Sequence, residues 1–213
     1  MIHDQDRSGY FGASDTHHVM AENRNTQTWT NWWYEKLGAK STFAGNKYTR
    51  AGNRYEHPIL EAIDDGITMD GQLIIEDLKV RVNYDGWKDG VIYEIKTYDP
   101  KHDFKITDKY WMQVQVEMFV YKELAESWFL PPFKKLYICS YPLTEADREA
   151  AEPKVDPGKI DYQEIGYDEK FISKYKRRVK RLARKLRKAL NEAYIDEKSE
   201  GDTDIDESQN GCL

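Results

Sequence analysis

The sequence predicts an α/β protein, and three observations carry that prediction. Apolar residues alternate at every second position in short runs between 67 and 97 and again at 136–141, the period of half-buried strands. They recur at three- and four-residue steps at 26–39, 50–63, 109–126 and 168–194, the period of helices packed on one side. Turn formers separate the runs: Gly38 closes the first helix, and Pro131-Pro132 divides the third from the strand after it.

The chain is organised around Asp85 to Lys96. Val80, Val82 and Tyr84 alternate into Asp85, and Asp89-Gly90 is the residue pair of a tight hairpin turn. Val91, Tyr93 and Ile95 then alternate with Ile92, Glu94 and Lys96, so Glu94 and Lys96 share one face. The hairpin brings Asp85 beside Glu94. Two carboxylates and an amine then meet among aliphatic neighbours, where ionised groups are costly without a partner or a metal. That favours a site for a divalent cation and a water molecule over a solvated ion pair.

The flanking segments read as follows. In residues 1–25, Ser14-Asp15-Thr16 either caps a helix or, with Arg7, binds a phosphate near a helix N-terminus. His17 and His18 are expected to be solvated. Trp29, Trp32, Trp33 and Leu37 form a core-facing stripe on the first helix. The second helix, 50–63, carries Tyr55, Ile59, Leu60 and Ile63 on its apolar side; Pro58 marks a kink or a start nearby. Glu56 on that helix reads as a surface acid or as a third carboxylate for the site.

Strands at 67–69 and 73–75 precede the hairpin. Thr107-Asp108 caps the third helix, on which Tyr110, Gln113 and Glu117 share a face. Residues 143–167 read as a connecting segment. The last helix, 168–194, sets Phe171, Tyr175, Val179, Leu182, Leu186 and Leu190 against an otherwise basic surface.

Composition narrows the function classes. The chain of 213 residues suits a single unit, 1–195, with an appended tail, 196–213. No apolar run is long enough for a bilayer and no signal peptide opens the chain, so no membrane partner is expected. Cys139 and Cys212 are the only cysteines, which disfavours a disulfide framework and favours the cytoplasm. The net charge of −6 is segregated. Residues 192–213 carry eight acids against Lys198, a sum of −7, which leaves +1 for the rest. Residues 170–188 hold eleven Lys or Arg and no acid, a surface that could face anionic lipid, a partner protein or a phosphate backbone; beside a metal-carboxylate site the backbone is favoured. The acidic tail is expected to be disordered.

Taken in order, Arg7…Gly12-Ala13-Ser14-Asp15, Gly52-Asn53-Arg54-Tyr55-Glu56, Asp85-Gly86, Glu94-Ile95-Lys96 and Tyr110-x-x-Gln113-Val114-Gln115 form a pattern. It resembles the phage lambda-type exonucleases, also called YqaJ-like viral recombinases, a branch of the PD-(D/E)xK nuclease superfamily. The match covers roughly residues 7–120. One departure stands at Asn83-Tyr84-Asp85, where the family often has Ser-Pro-Asp.

The resemblance implies an αβββαβ core with a mixed central sheet flanked by helices, here followed by the long basic helix. It implies a two-metal phosphodiester hydrolase using Mg²⁺, with Mn²⁺ able to substitute. Glu56, Asp85, Glu94 and the Ile95 carbonyl would hold metal, and Lys96 would orient or activate the water. Tyr110 and Gln113 would support the site and the scissile phosphate. Arg7 and Ser14 would hold a 5′-terminal phosphate, and Asn83, at the departure from the family pattern, could still donate to a phosphate. The implied substrate is the end of double-stranded DNA, digested 5′ to 3′ by a homotrimer beside a single-strand annealing protein, in an infected or lysogenic bacterial cell. Two rivals stand beside it: another superfamily member, an endonuclease or a single-strand-specific nuclease, and, of a different class, a DNA-binding recombination factor with a decayed site.

Overall fold

The computed structural model describes residues 8–39 and 46–201. A single-turn helix α1 (Thr16–Val19) leads to α2 (Gln27–Lys36) and α3 (Lys47–Ile63). Three strands follow, β1 (Thr68–Ile75), β2 (Val80–Lys88) and β3 (Val91–Tyr98), then α4 (Asp108–Leu124) and β4 (Lys135–Pro142). The chain continues through α5 (Glu145–Glu149) and β5 (Asp161–Ile165) to the long α6 (Glu169–Gly201). From α3 to β4 this is the αβββαβ order expected.

The strands form one sheet in the order β1-β2-β3-β4-β5. Neighbours are antiparallel except β3 and β4, whose parallel pairing requires the crossover through α4. One face carries α3, whose Tyr55, Ile59 and Leu60 pack with Ile95, Cys139 and Tyr141. The other carries α4 and α6, where Val114, Met118 and Tyr121 meet Ile92, Ile138, Val179, Leu182 and Leu186. Trp32 of α2 and Phe11 close that second core.

Local chemistry explains the element boundaries. Thr26 accepts a hydrogen bond from Trp29 N–H, Asn46 from Tyr48 and Thr49, and Thr107 from Tyr110, each satisfying donors that a helix start leaves free. The hairpin turn has Asp89 at φ 51° and Gly90 at φ 83°, the two left-handed positions of a type I′ turn. A side chain at Gly90 would also collide with the Pro132 carbonyl, 2.1 Å from its Cβ position.

Several expectations are corrected. The strands at 67–69 and 73–75 are one continuous strand, β1. Helix α3 begins at Lys47 and runs through Pro58, with Ile59 and Leu60 fully buried behind it holding the helix in place. The connecting segment 143–167 contains α5 and the edge strand β5; a capping box of Thr144 and Asp147 starts α5. Helix α6 continues past Tyr194 to Gly201, since Glu and Lys at 197–200 are good helix formers. Residues 202–213, the rest of the acidic tail, lie outside the described residues. His17 and His18 are half-buried, not solvated: their rings are 3.8 Å apart and His18 stacks on Trp32.

Leu182, fully buried between α6 and the second core, tests how much the fold depends on the C-terminal helix. Leu182→Ala should lower unfolding free energy by about 2–5 kcal/mol, read as a reduced urea midpoint at constant slope.

Candidate active site

The site lies where β2 leaves β3. The two strands pair only at Gly86↔Tyr93, Trp87↔Ile92 and Lys88↔Val91. The next rung would join Asp85 to Glu94, and it is not made. Instead the Asp85 carboxylate accepts the Ile95 N–H at 2.7 Å, so a side chain satisfies a donor that the ladder abandons. On its other side β2 misses the rung between Asp85 and Asp70 as well. Asp70 sits there at φ 54°, a conformation uncommon for any residue with a side chain. Regular alternation fails across this point: Tyr84 and Trp87, three apart, both pack edge-on against Tyr121 of α4.

Beyond the divergence, a cleft of about 440 Å³ opens between α3, β3 and the start of α4, lined among others by Glu56, Asp85, Ile95, Lys96 and Tyr110. Helix α3 approaches β3 closely, with Gly52 so near Thr97 that a Cβ would stand 3.1 Å from its hydroxyl. That approach carries Glu56, one turn further on, to the cleft. Glu94 points from β3 toward α4 and is only 3% exposed. Its Oε1 accepts from Lys96 Nζ at 2.5 Å and from Gln113 Nε2 at 2.5 Å. The Lys96 ammonium also lies 5.1 Å from the centre of the Tyr110 ring, a cation–π contact.

The electrostatics follow from this crowding. Burial, then the charge of Glu94, raises the Glu56 carboxyl to about 7. Asp85 is held well above the carboxylate range by burial and then by Glu94 and Glu56. Burial pulls Lys96 the other way, but the charges of Glu94 and Asp85 outweigh it and its pKa stands above that of an ordinary ammonium. A cation would relieve the repulsion between these poorly solvated carboxylates, but among the described residues Glu56, Asp85 and Glu94 are not a group whose ligand atoms all lie within 4.8 Å of one another. Beside them, Glu56, His57 and Asp70 offer ligand atoms all within 4.8 Å of one another, and His57 Nε2 is 3.1 Å from Asp70. His57 is thus tied to the edge of the cleft.

The structure therefore brings Glu56, Asp85, Glu94, Ile95, Lys96, Tyr110 and Gln113 into one neighbourhood. Ser14 and Asn83 lie apart, in a second cavity of about 160 Å³ that also includes Lys36, Arg81 and Gln113. The N-terminal segment reaches that cavity by pairing with the freed edge of β2: Phe11 N–H donates to Lys79 and Arg81 N–H to Phe11. Asp15 does not cap α1 with its side chain; it accepts the Gly12 N–H and pairs with buried Lys36 at 2.6 Å. Arg7 lies outside the described residues.

Arg148 and Asp70 at the site escaped the sequence reading, as did the burial of Glu117, which the spacing places only on a face with Tyr110 and Gln113. Arg148 of α5 lines the cleft and pairs with Asp99 at 3.2 Å; the Thr144-x-x-Asp147 capping signature was the available signal for its helix. Glu117 is fully buried beneath Gln113 and bonded to it. A Glu on a helix gives no sequence signal of burial.

The chain has the fold of the lambda-type exonucleases. It is similar to the crystal structure of an alkaline exonuclease from Laribacter hongkongensis, at 17% identity and a TM-score of 0.61, with 91% of this chain and 94% of that one covered. A structure of that exonuclease in complex with dAMP gives 18% identity and a TM-score of 0.62 over the same shares. A phage-related exonuclease from Haemophilus somnus matches at 18% identity and a TM-score of 0.60, covering 88% of this chain and 96% of that one. No protein-family model and no curated protein matches the sequence. Among the described residues, no helix is long and apolar enough to cross a membrane.

A carboxyl whose folded pKa exceeds its unfolded one takes up a proton on folding. Glu56 therefore lowers stability progressively as pH rises from 4.5 to about 7, and the penalty persists above. In EDTA, the melting temperature should fall across this window, and Glu56→Gln should make the fall shallower. An identical slope in the variant would contradict the assignment of burial and repulsion at Glu56.

Proposed function

We propose that this chain is a Mg²⁺-dependent exonuclease that hydrolyses the phosphodiester bonds of linear double-stranded DNA, 5′ to 3′, in phage or prophage recombination. One observation carries the reading. On a lambda-type exonuclease fold, Glu56, Asp85 and Glu94 interact electrostatically at a cleft that Lys96 lines while paired to Glu94. The exonucleases named among the similar structures point the same way.

The residues fit the implied metal. Glu56, Asp85, Glu94 and the Ile95 carbonyl offer only oxygen, the donor preferred by hard divalent cations, and burial, then neighbouring carboxylates, raises Glu56 and Asp85, so a cation there would favour their ionised forms. These groups would hold two Mg²⁺ ions, with Mn²⁺ as a substitute. Bound there, such ions polarise phosphoryl oxygen and supply hydroxide at neutral pH. The chain's own groups do the rest. The Lys96 ammonium, braced by Glu94 and the Tyr110 ring, orients the attacking water. Gln113 spends its donors on carboxylates, so its contribution is to steady Glu94. Ser14 and Asn83, in the neighbouring cavity with Arg81, receive the DNA end, with Arg7 as a further contact.

In this reading residues 1–195 are the nuclease unit and the basic face of 168–194 follows the DNA backbone. The unit assembles as a homotrimer, works beside a single-strand annealing protein and acts in the cytoplasm of an infected or lysogenic bacterium. The support for the trimer, the annealing partner and the setting is the resemblance of the ordered motifs, and for the basic helix it is the run of eleven Lys or Arg without an acid at 170–188.

Lys96→Ala should reduce Mg²⁺-dependent digestion of linear duplex by about a hundredfold or more with an unchanged circular dichroism spectrum. Wild-type protein should release nucleotides from 5′-phosphorylated linear duplex and spare closed circular DNA. Cleavage of the circle, or full activity of the variant, would overturn the reading.

A further inference from the structure

Glu117 is fully buried on α4, one turn from Gln113, and nothing in the proposed reaction uses it. It accepts a hydrogen bond from Gln113 Nε2 at 2.9 Å, and the same nitrogen donates to Glu94 Oε1. A side-chain amide nitrogen carries two hydrogens, so the two carboxyl groups take both. The amide is clamped between them, and its donor edge cannot turn elsewhere.

This arrangement is unfavourable for stability. The second oxygen of Glu117, Oε2, is buried without a hydrogen-bond partner. Leaving a buried polar atom unsatisfied costs about 1–3 kcal/mol. The residues beside it on α4, Val116 and Met118, are buried and apolar, and a leucine at 117 would avoid the cost. Burial and the charge of nearby Glu94 also push the Glu117 carboxyl well above its ordinary range. Packing alone gives no reason for an acid here.

Its placement is fixed from two directions. The Tyr84 hydroxyl donates to the Glu117 carbonyl at 2.8 Å, tying that turn of α4 to β2 immediately before Asp85. At Glu94, the bonds from Lys96 and Gln113 both fall on Oε1, which leaves Oε2 clear of these hydrogen bonds.

We propose that Glu117 is a positioning residue: by clamping the Gln113 amide it holds one oxygen of Glu94 and so keeps the other available to a divalent cation. The inference deepens the proposed nuclease site and rests on Glu94 being a metal ligand there. Glu117 touches neither substrate nor metal in this scheme and acts only through Gln113.

Mn²⁺ titration by calorimetry and steady-state kinetics on linear duplex test it in Glu117→Leu, Glu117→Gln, Gln113→Ala and the double variant Gln113→Ala/Glu117→Leu. Glu117→Leu should weaken Mn²⁺ binding tenfold or more and lower kcat with little change in KM for DNA. Its urea midpoint should stay at or above wild type, which separates positioning from a structural role. Glu117→Gln retains an acceptor for the Gln113 amide and should recover both readouts to within about threefold of wild type. In the Gln113→Ala background the Leu change should add nothing, because the residue it acts through is gone.

Should Glu117→Leu fail to fold, Glu117→Met is measured in its place. Wild-type Mn²⁺ affinity and kcat in the Leu or Met variant would overturn the proposal while leaving the nuclease reading intact, as would additive effects in the double variant. A wild-type protein that neither binds Mn²⁺ nor digests DNA would overturn both.

Discussion

The hydrogen bond from Ile95 N–H to the Asp85 carboxylate is the point on which this molecule turns. Strands that pair along their whole length leave no room for chemistry between them. Here β2 stays with β1 while β3 follows β4, and the two part after three rungs. Without a replacement acceptor, the Ile95 N–H would face the gap unsatisfied, at a cost comparable to the hydrogen bond itself. Asp85 supplies that acceptor and is held in the lining of the cleft by doing so. The same parting frees the far end of β2, where Phe11 pairs and fixes the segment carrying Ser14. Both cavities are consequences of one divergence.

The charge arrangement explains why the cluster is costly and why the surrounding fold is built as it is. Asp85, Glu94 and Glu117 are poorly solvated and interact with one another, with Glu56 close by and Lys96 as the cation in their midst. In a medium of low effective dielectric such repulsion is not screened. The compensating stability comes from the two cores on either side of the sheet. Helix α6 alone contributes Tyr175, Val179, Leu182, Ala183 and Leu186 to one of them, all fully buried. Rigid packing of that kind lets a set of like charges persist in the folded state.

The sequence disclosed these features unevenly. The Asp89-Gly90 turn and the alternation to either side were legible because a type I′ turn demands left-handed residues and strands demand period two. The placement of Glu94 and Lys96 on one face followed from the same period. The failure of alternation at Asp85 was not legible, because it arises from the missing rung opposite Asp70, a long-range event with no local mark. Edge strand β5 was hidden for a related reason: its exposed, polar residues lack the apolar rhythm that reveals a buried strand. The burial of His18 against Trp32 likewise depends on how α1 meets α2, which no spacing within either helix encodes.

The left-handed turn of Asp70 has a bearing on solubility as well as on the cleft. Strand β1 forms an outer border of the sheet, and such borders template the addition of foreign strands and the growth of aggregates. A backbone that swings to φ 54° in mid-strand, followed at once by Gly71 beneath the Trp87 ring, breaks the row of donors and acceptors that an incoming strand would need. The kink beside the acidic cluster thus disfavours the addition of a further strand at this edge.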